Sequence, residues 1–363
     1  MRTRNDSIII VVFCLAISLP LIGMILKLDL QESLEENRVL AKLPAFVLYP
    51  AVLQKYPQDF TRYFNDHFGF RGTLVRTNFL FQYKLLGVSP SNKVRIGKDG
   101  WLFYASDNQM EGYRSVDDIN DARLKEMAYD YESKRQLLAN RGIKYLFVVA
   151  PNKSSIYSEY LPAVFDNVNS KSRIDKFIRY MRSNTQVEVL DLRNTLLEHK
   201  PEEILYLKTD SHWNDYGALL AYQAIIHEII SWFPGDRAYS IADFKVIKKV
   251  GHGGDLALMM GGAAVIREEY PSLIPLEPRT AIQIGVDKNV RGSVTFIKQN
   301  QKLPRALVFR DSFFDALIPF TSEHFKFSKY YNDRWSMLTP ITALIESNQP
   351  NVVIEEVVER QIY

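Results

Sequence analysis

Three short segments hold residue types that could perform acyl chemistry. Arg310-Asp311-Ser312-Phe313-Phe314 follows an apolar run at Ala306–Phe309, and Phe313 to Ile318 can start a short helix before Pro319 interrupts it. Ser312 would then stand at a helix N-terminus, where free backbone N–H groups favour a developing oxyanion. The plainer reading of Asp311 or Ser312 is a helix N-cap. A serine nucleophile needs a base, and Asp210-Ser211-His212 offers one. In an extended segment the Asp and His side chains fall on the same side, so the carboxylate can accept from one ring nitrogen while the other takes a proton. An isolated Asp-x-His is often only a solvated loop. The third segment, Pro151-Asn152-Lys153, closes a continuously apolar run. Asn152 and Lys153 are candidates for contact with substrate or oxyanion, with helix capping as the plain alternative.

A metal site competes for the same residues, because Asp210, His212, Asp215, His252 and Asp255 offer nitrogen and oxygen ligands. The histidines nevertheless form no helical metal pair such as His-Glu-x-x-His, and no metal or other cofactor is assigned. The single cysteine among the 363 residues rules out a disulfide framework or a cysteine-rich zinc module. With 45 Lys+Arg against 42 Asp+Glu, the near-neutral charge also argues against a nucleic-acid binder. Hydrophobic residues make up 47% of the chain, enough for a substantial core.

Those segments must be held by a scaffold, and the apolar pattern predicts one. Ile8 to Leu26 is uncharged and close to the ~20 residues that cross a bilayer. Arg2 and Arg4 precede it, which favours a cytoplasmic N-terminus with the remainder outside the cytoplasm. Lys27-Leu28-Asp29 follows rather than a small-residue cleavage site, so the segment reads as an uncleaved anchor, with a cleaved signal peptide as the alternative. Residues 1–27 are therefore assigned to the cytoplasmic end and anchor, and 28–363 to one exported domain. Cys14 falls in the anchor, leaving the exported part without a thiol.

Gln31 to Ala45 suits an ordered tether, and Pro57 to Leu86 predicts two short helices or one broken at Gly69 and Gly72. Lys98 to Phe103 predicts a turn with Asp-Gly at its tip. Helix and strand then alternate: a helix over Asp121–Asn140 capped by Gly142, a buried strand at Tyr145–Ala150, a helix around Ile174–Met181, and a strand at Val187–Leu192. A wide-faced helix follows from Asn214 to before Pro234, with further strands at Ala306–Phe309 and Val352–Glu355. Continuously apolar strands are covered on both faces. The pattern predicts an α/β domain with helices on both sides of a mostly parallel sheet and a long insertion at Gly251–Pro278. Functional side chains of such a domain gather at the carboxyl ends of its strands.

With these residues in place the chain resembles the SGNH-hydrolase-like acetyltransferases of bacterial exopolysaccharide modification, specifically the alginate O-acetyltransferase family. The matches run in order: Glu36-Asn37-Arg38, Asp66-His67-Phe68-Gly69-Phe70-Arg71, Gly97 to Phe103, Pro151-Asn152-Lys153, Thr209 to Asn214, Gly254-Asp255-Leu256 and Asp311-Ser312-Phe313. The resemblance implies a triad of Asp210, His212 and Ser312, with the serine block after the histidine block, permuted relative to ordinary SGNH esterases. Arg310 departs from the pattern, standing where a small residue such as glycine is expected; it is a candidate contact to an anionic sugar, with crowding of the loop as the alternative reading. The chain ends soon after Arg360, as in a membrane-anchored branch without a carbohydrate-binding module.

The function so implied is O-acetyl transfer through a serine acyl-enzyme onto hydroxyls of an extracellular, alginate-like polysaccharide. The expected setting is the periplasmic side of the inner membrane, with a single-pass anchor. Expected partners are the polysaccharide acceptor, a membrane-bound O-acyltransferase that supplies acetyl, and other exopolysaccharide secretion proteins. Two alternatives stand beside it: a carbohydrate acetyl esterase, and a non-catalytic polysaccharide-binding subunit that uses Trp101, Trp213 and Trp335. Core packing is the plainer role for these tryptophans.

Overall fold

In a computed structural model of the chain, the described residues are 4–26, 40–106, 119–162, 172–287, 293–336 and 339–362. Two compact units result, one from Met1–Val94 with His252–Arg267, the other from Arg95–Gly251 with Glu268–Tyr363. The boundary expected at residue 28, Glu36-Asn37-Arg38 and most of the expected tether lie outside the described residues. The long insertion is divided, its first part belonging to the first unit.

In the first unit, α1 (Arg4–Ile25) contains a 20-residue stretch, Asp6–Ile25, long and apolar enough to cross a membrane. The broken helix is observed. α2 (Pro50–His67) begins at a proline, whose missing N–H costs nothing in a first turn, and α3 (Arg71–Phe79) continues as a π-helix through Leu80–Leu85. The break is the corner Phe68-Gly69-Phe70.

A small sheet of β1 (Val94–Ile96) and β2 (Leu102–Tyr104) follows at the boundary residue Val94, its strands joined by the expected turn, in which Asp99 and Gly100 both adopt positive φ. Then come α4 (Asp121–Ala139), β3 (Lys144–Ala150), α5 (Arg173–Asn184), β4 (Glu188–Asp191), α6 (Leu192–His199) and α7 (Asp215–Trp232). β5 (Phe244–His252) and β6 (Arg267–Pro275) pair as a separate ribbon. β7 (Ile282–Asp287), β8 (Ser293–Ile297), β9 (Arg305–Phe309), β10 (Phe327–Tyr331), α8 (Ile341–Asn348) and β11 (Val352–Val358) complete the chain.

The main sheet has the order β4-β3-β11-β9-β10-β8-β7. Strands from β4 to β10 are parallel, and β8 and β7 add an antiparallel edge. Alternate strand residues enter two cores. Leu146, Val148, Val308 and Ile354 meet α6 and α7 on one face, and Phe147, Val149, Leu307 and Val353 meet α4, α5 and α8 on the other. This is the α/β architecture the apolar runs predicted. Trp101, Trp213 and Trp335 are all buried, which removes them as an exposed sugar platform.

Candidate active site

The carboxyl ends of β3, β9 and β11 lie side by side in the sheet, and the loops leaving them carry the polar residues of the site. After β9 the chain enters a 3₁₀ turn, Ser312–Ala316, rather than an α-helix, with Asp311 as its N-cap accepting from Phe313 N–H at 2.9 Å. Pro319 causes no break, because it occupies the first turn of a second short helix, Ile318–Thr321. Capping by Asp311 leaves the Ser312 hydroxyl for another partner.

That partner is His212. Its Nε2 lies 2.8 Å from Ser312 Oγ, and its Nδ1 lies 2.7 Å from Asp210 Oδ1. The same carboxylate oxygen accepts the backbone N–H of His212 at 2.9 Å. The Asp-x-His segment is thus an Asx turn, not the extended segment expected, and it follows a loop after α6 rather than a sheet strand. Local Asx geometry and extended backbone both bring the two side chains together, which is why the residues were legible even though their conformation was not.

Lys153 holds this loop. Its Nζ donates to the carbonyls of Leu207, Lys208 and Asp210 at 3.1, 3.0 and 2.6 Å, and the residue is only 3% exposed. The expected substrate contact gives way to a buried tie between the β3 loop and the Asp210 loop. Glu268 completes the support by accepting from the backbone N–H groups of Lys208 and Thr209. On the far side, Asn214 caps α7, and Gly217 allows the helix to approach closely: a Cβ there would stand 2.5 Å from Leu205 O and 2.8 Å from Trp213 Cβ. Trp213 Nε1 in turn donates to Phe313 O at 3.1 Å, joining the histidine and serine segments through a second contact. Asp215, one of the residues that could offer a metal ligand, accepts from Leu273 N–H.

For Arg310 the packing favours the crowded-loop reading over the sugar contact. The residue is 5% exposed, and its guanidinium pairs with Asp315 at 2.7 Å and donates to Asp311 O. A side chain so enclosed braces the serine turn instead of reaching toward an anionic sugar. Asn152 is buried, with its backbone N–H on Glu359 and its Oδ1 accepting from Arg360 at 3.2 Å. With the oxygen so engaged, the Nδ2 donor has no acceptor among the described residues, and neither has Ser312 N–H.

The β11 end supplies residues that the sequence did not single out. Asp311 Oδ2 accepts Val358 N–H at 2.8 Å, Glu356 Oε2 accepts Asp311 N–H at 3.0 Å, and Glu359 holds Asn152 N–H and Ser155 Oγ. Burial pushes the Glu356 carboxyl well above the usual carboxylate range, and the nearby Asp311 charge adds to the rise. Glu359 is raised too, by burial first, with Arg193 opposing. Arg360 lies over the rings of Phe313 and Tyr104 at 5.3 and 5.1 Å. The available signal was the pair Glu355-Glu356 inside an otherwise apolar strand, since buried carboxylates persist only with partners.

The parallel sheet with its helices on both faces is an SGNH-hydrolase-like fold. Bacillus cereus PatB1, solved with a sulfonyl adduct, superposes with a TM-score of 0.52 at 18% identity, over 74% of this chain and 97% of that one. A DHHW family protein from Eubacterium siraeum gives 0.50 at 18%, over 73% and 94%. In sequence, the model of the family described as SGNH hydrolase-like domain, acetyltransferase AlgX, matches residues 94–276, and the chain belongs to that family. The matched span contains Lys153, Asp210 and His212, and Ser312 lies beyond it. The probable alginate O-acetylase AlgJ of Pseudomonas aeruginosa is 27% identical over 187 residues, 52% of this chain and 46% of that protein. Its Pseudomonas putida counterpart is 25% identical over 142 residues, 38% and 34% respectively. The aligned regions thus span less than half the length of these relatives.

Proposed function

We propose that this protein is an O-acetyltransferase that passes acetyl through Ser312 onto hydroxyls of an extracellular, alginate-like polysaccharide. The observation that carries the reading is the continuous hydrogen-bond path Asp210–His212–Ser312, at 2.7 and 2.8 Å. His212 Nε2 takes the Ser312 proton as Oγ attacks the acetyl carbonyl of the donor ester. Asp210, bonded to Nδ1, orients the ring and stabilises the imidazolium. The negative oxygen of the tetrahedral intermediate is met by the unengaged donors Ser312 N–H and Asn152 Nδ2. Collapse breaks the bond to the donor oxygen, which leaves with the proton from His212. A sugar hydroxyl then gives its proton to His212 as it attacks the acetyl carbonyl, and collapse breaks the bond to Oγ, which takes that proton back from His212, leaving the acetyl ester on the sugar and free Ser312.

Family membership and the alginate O-acetylase names of the relatives support the acceptor class. In this reading α1 is an uncleaved inner-membrane anchor and the second unit works in the periplasm. Acetyl arrives from a membrane-bound O-acyltransferase that carries it across the bilayer, beside other exopolysaccharide secretion proteins. The test is an activated phenyl acetate as donor with an oligosaccharide acceptor, followed by intact-mass analysis. Wild type should acquire one acetyl group that chases onto the acceptor. Ser312→Ala should lose that adduct and at least ~10³-fold in rate, since members of such a set act as a unit. Undiminished transfer by Ser312→Ala would overturn the assignment, and release of free acetate alone would make the protein an esterase.

A further inference from the structure

The first unit carries an apolar surface of its own. α1 is uncovered along most of its length, with burial confined to Pro20, Gly23 and Met24 near its end. The α2–α3 corner covers them: a Cβ at Gly69 would stand 2.2 Å from Pro20 O and 2.6 Å from Met24 N, and one at Gly23 would meet the Phe70 ring at 2.8 Å. Two glycines therefore allow the corner to press directly on the helix. Pro20 lies about 9 Å, at ~1.5 Å per residue, inside the end of the apolar stretch at Leu26. In a helix that crosses a bilayer, the covered residues Pro20 to Met24 therefore span the last ~3–9 Å of acyl-chain depth below the headgroup boundary.

The helix leaving the corner is apolar on two sides. One side is packed: Gly72 and Phe79 are buried, and Val75 and Phe79 lie against Gly261 and Gly262. The other is bare, with Leu74, Phe81 and Leu85 at 50%, 53% and 72% exposure. A second bare segment, including Phe46 and Leu48 at 66% and 81%, is drawn to the same corner by the Ala41 N–H bond to Asp66 at 2.7 Å. Charge agrees. From His67 to Lys98 the sequence contains six basic residues, Arg71, Arg76, Lys84, Lys93, Arg95 and Lys98, and no acidic one. Arg71, Arg76 and Lys84 lie on the helix and its extension, and an exposed apolar face beside basic residues is suited to an anionic lipid surface.

We propose that the bare face of α3 and its π-helical extension lies in the headgroup boundary of the membrane crossed by α1, with phospholipid as its occupant. This rests on α1 acting as an anchor, as proposed above. The first unit is then held to the membrane along a surface, not only by a single span.

The test uses the full-length chain in phosphatidylcholine–phosphatidylglycerol vesicles with acyl-brominated lipid as quencher. Cys14→Ser combined with Leu85→Cys gives one site for an environment-sensitive fluorophore, and Leu86→Cys provides a second position. Leu197→Cys, at an exposed position of the second unit, is the control. Labels at 85 and 86 should shift to the blue and be quenched, and the label at 197 should do neither. A label on Cys14 itself, in the otherwise unchanged chain, reports the anchor. Quenching at Cys14 with none at 85 or 86 would overturn the lipid assignment while leaving the anchor intact, and would give the face to a protein partner. Absence of quenching at Cys14 would overturn the anchor and this inference together.

Discussion

The Lys153 ammonium meets three carbonyl oxygens of the loop that carries His212. A primary ammonium has three donors and no acceptor, which is what three converging carbonyls require. Lys153→Met would leave those oxygens buried without donors, at a cost of ~1–3 kcal/mol each where water cannot replace them. The loop would shift rather than bear that cost, moving His212 away from Ser312. Misplacement of about 1 Å can cost ~10² in rate. The expected outcome in steady-state kinetics with a small acetyl ester is a fall of about that size in kcat, with KM changed by only a few-fold. Lys153→Arg should recover part of it, since a planar fork keeps the charge but cannot serve all three acceptors. A raised KM with unchanged kcat would return Lys153 to the role of a substrate contact. Asp210, His212 and Ser312 were legible as residue types at a suggestive spacing. The role of Lys153 was not, because its acceptors are more than fifty positions away and are backbone atoms, which leave no mark on side-chain identity.

At the scale of elements, strand β11 combines two demands. It is central in the sheet, so every residue is buried, yet Glu355 and Glu356 stand in its middle, pointing to opposite faces. Glu355 is compensated by Lys134 at 2.8 Å and by the Tyr145 hydroxyl at 2.6 Å. Glu356 instead takes the Asp311 N–H and keeps a raised affinity for its proton. The folded state therefore binds this proton more tightly than the unfolded chain does. The stability contributed by this group is fully present below the ordinary carboxylate range and is lost as pH rises from there through the raised pKa of Glu356, by up to ~1.4 kcal/mol per pH unit for one proton. Glu356→Gln mimics the protonated form and should remove this slope. Denaturant midpoints at pH 5 and pH 9 should differ less in the variant than in wild type, and an unchanged difference would show that another group sets the pH dependence. The same strand shows where sequence reading stops. Apolar runs such as Tyr145–Ala150 announce a strand covered on both faces, whereas Phe327–Tyr331, with Ser and Lys among its aromatics, does not, although β10 lies inside the sheet. Helix α6 was missed because it starts at Leu192 directly after β4, with Asp191 serving as both strand end and cap.

At the scale of the whole molecule, the chain is interleaved, since the first unit draws on residues before Val94 and on His252–Arg267. The inserted piece is pinned by its own backbone: Gly253 N–H bonds to Ala263 O and Ile266 O, and Gly261 and Gly262 abut Val75 and Phe79 so closely that a Cβ would come within 2.4 and 2.3 Å of their side chains. Removing residues 1–39 would leave those contacts in place. Starting the chain at residue 95 would remove Val75 and Phe79 and leave Gly261 and Gly262 without these packing partners. Burying an apolar side chain of Val or Phe size is worth ~1.5–3 kcal/mol, and both contacts would be lost together. Limited proteolysis separates the cases. A chain starting at residue 40 should resist cleavage between His252 and Arg267 and retain turnover of a small acetyl ester, because Asp210, His212 and Ser312 all belong to the second unit. A chain starting at residue 95 should be cut rapidly in that segment. Equal resistance of the two would mean that the insertion is held by the second unit alone, and the first unit would then be a membrane-side attachment with no part in folding the insertion.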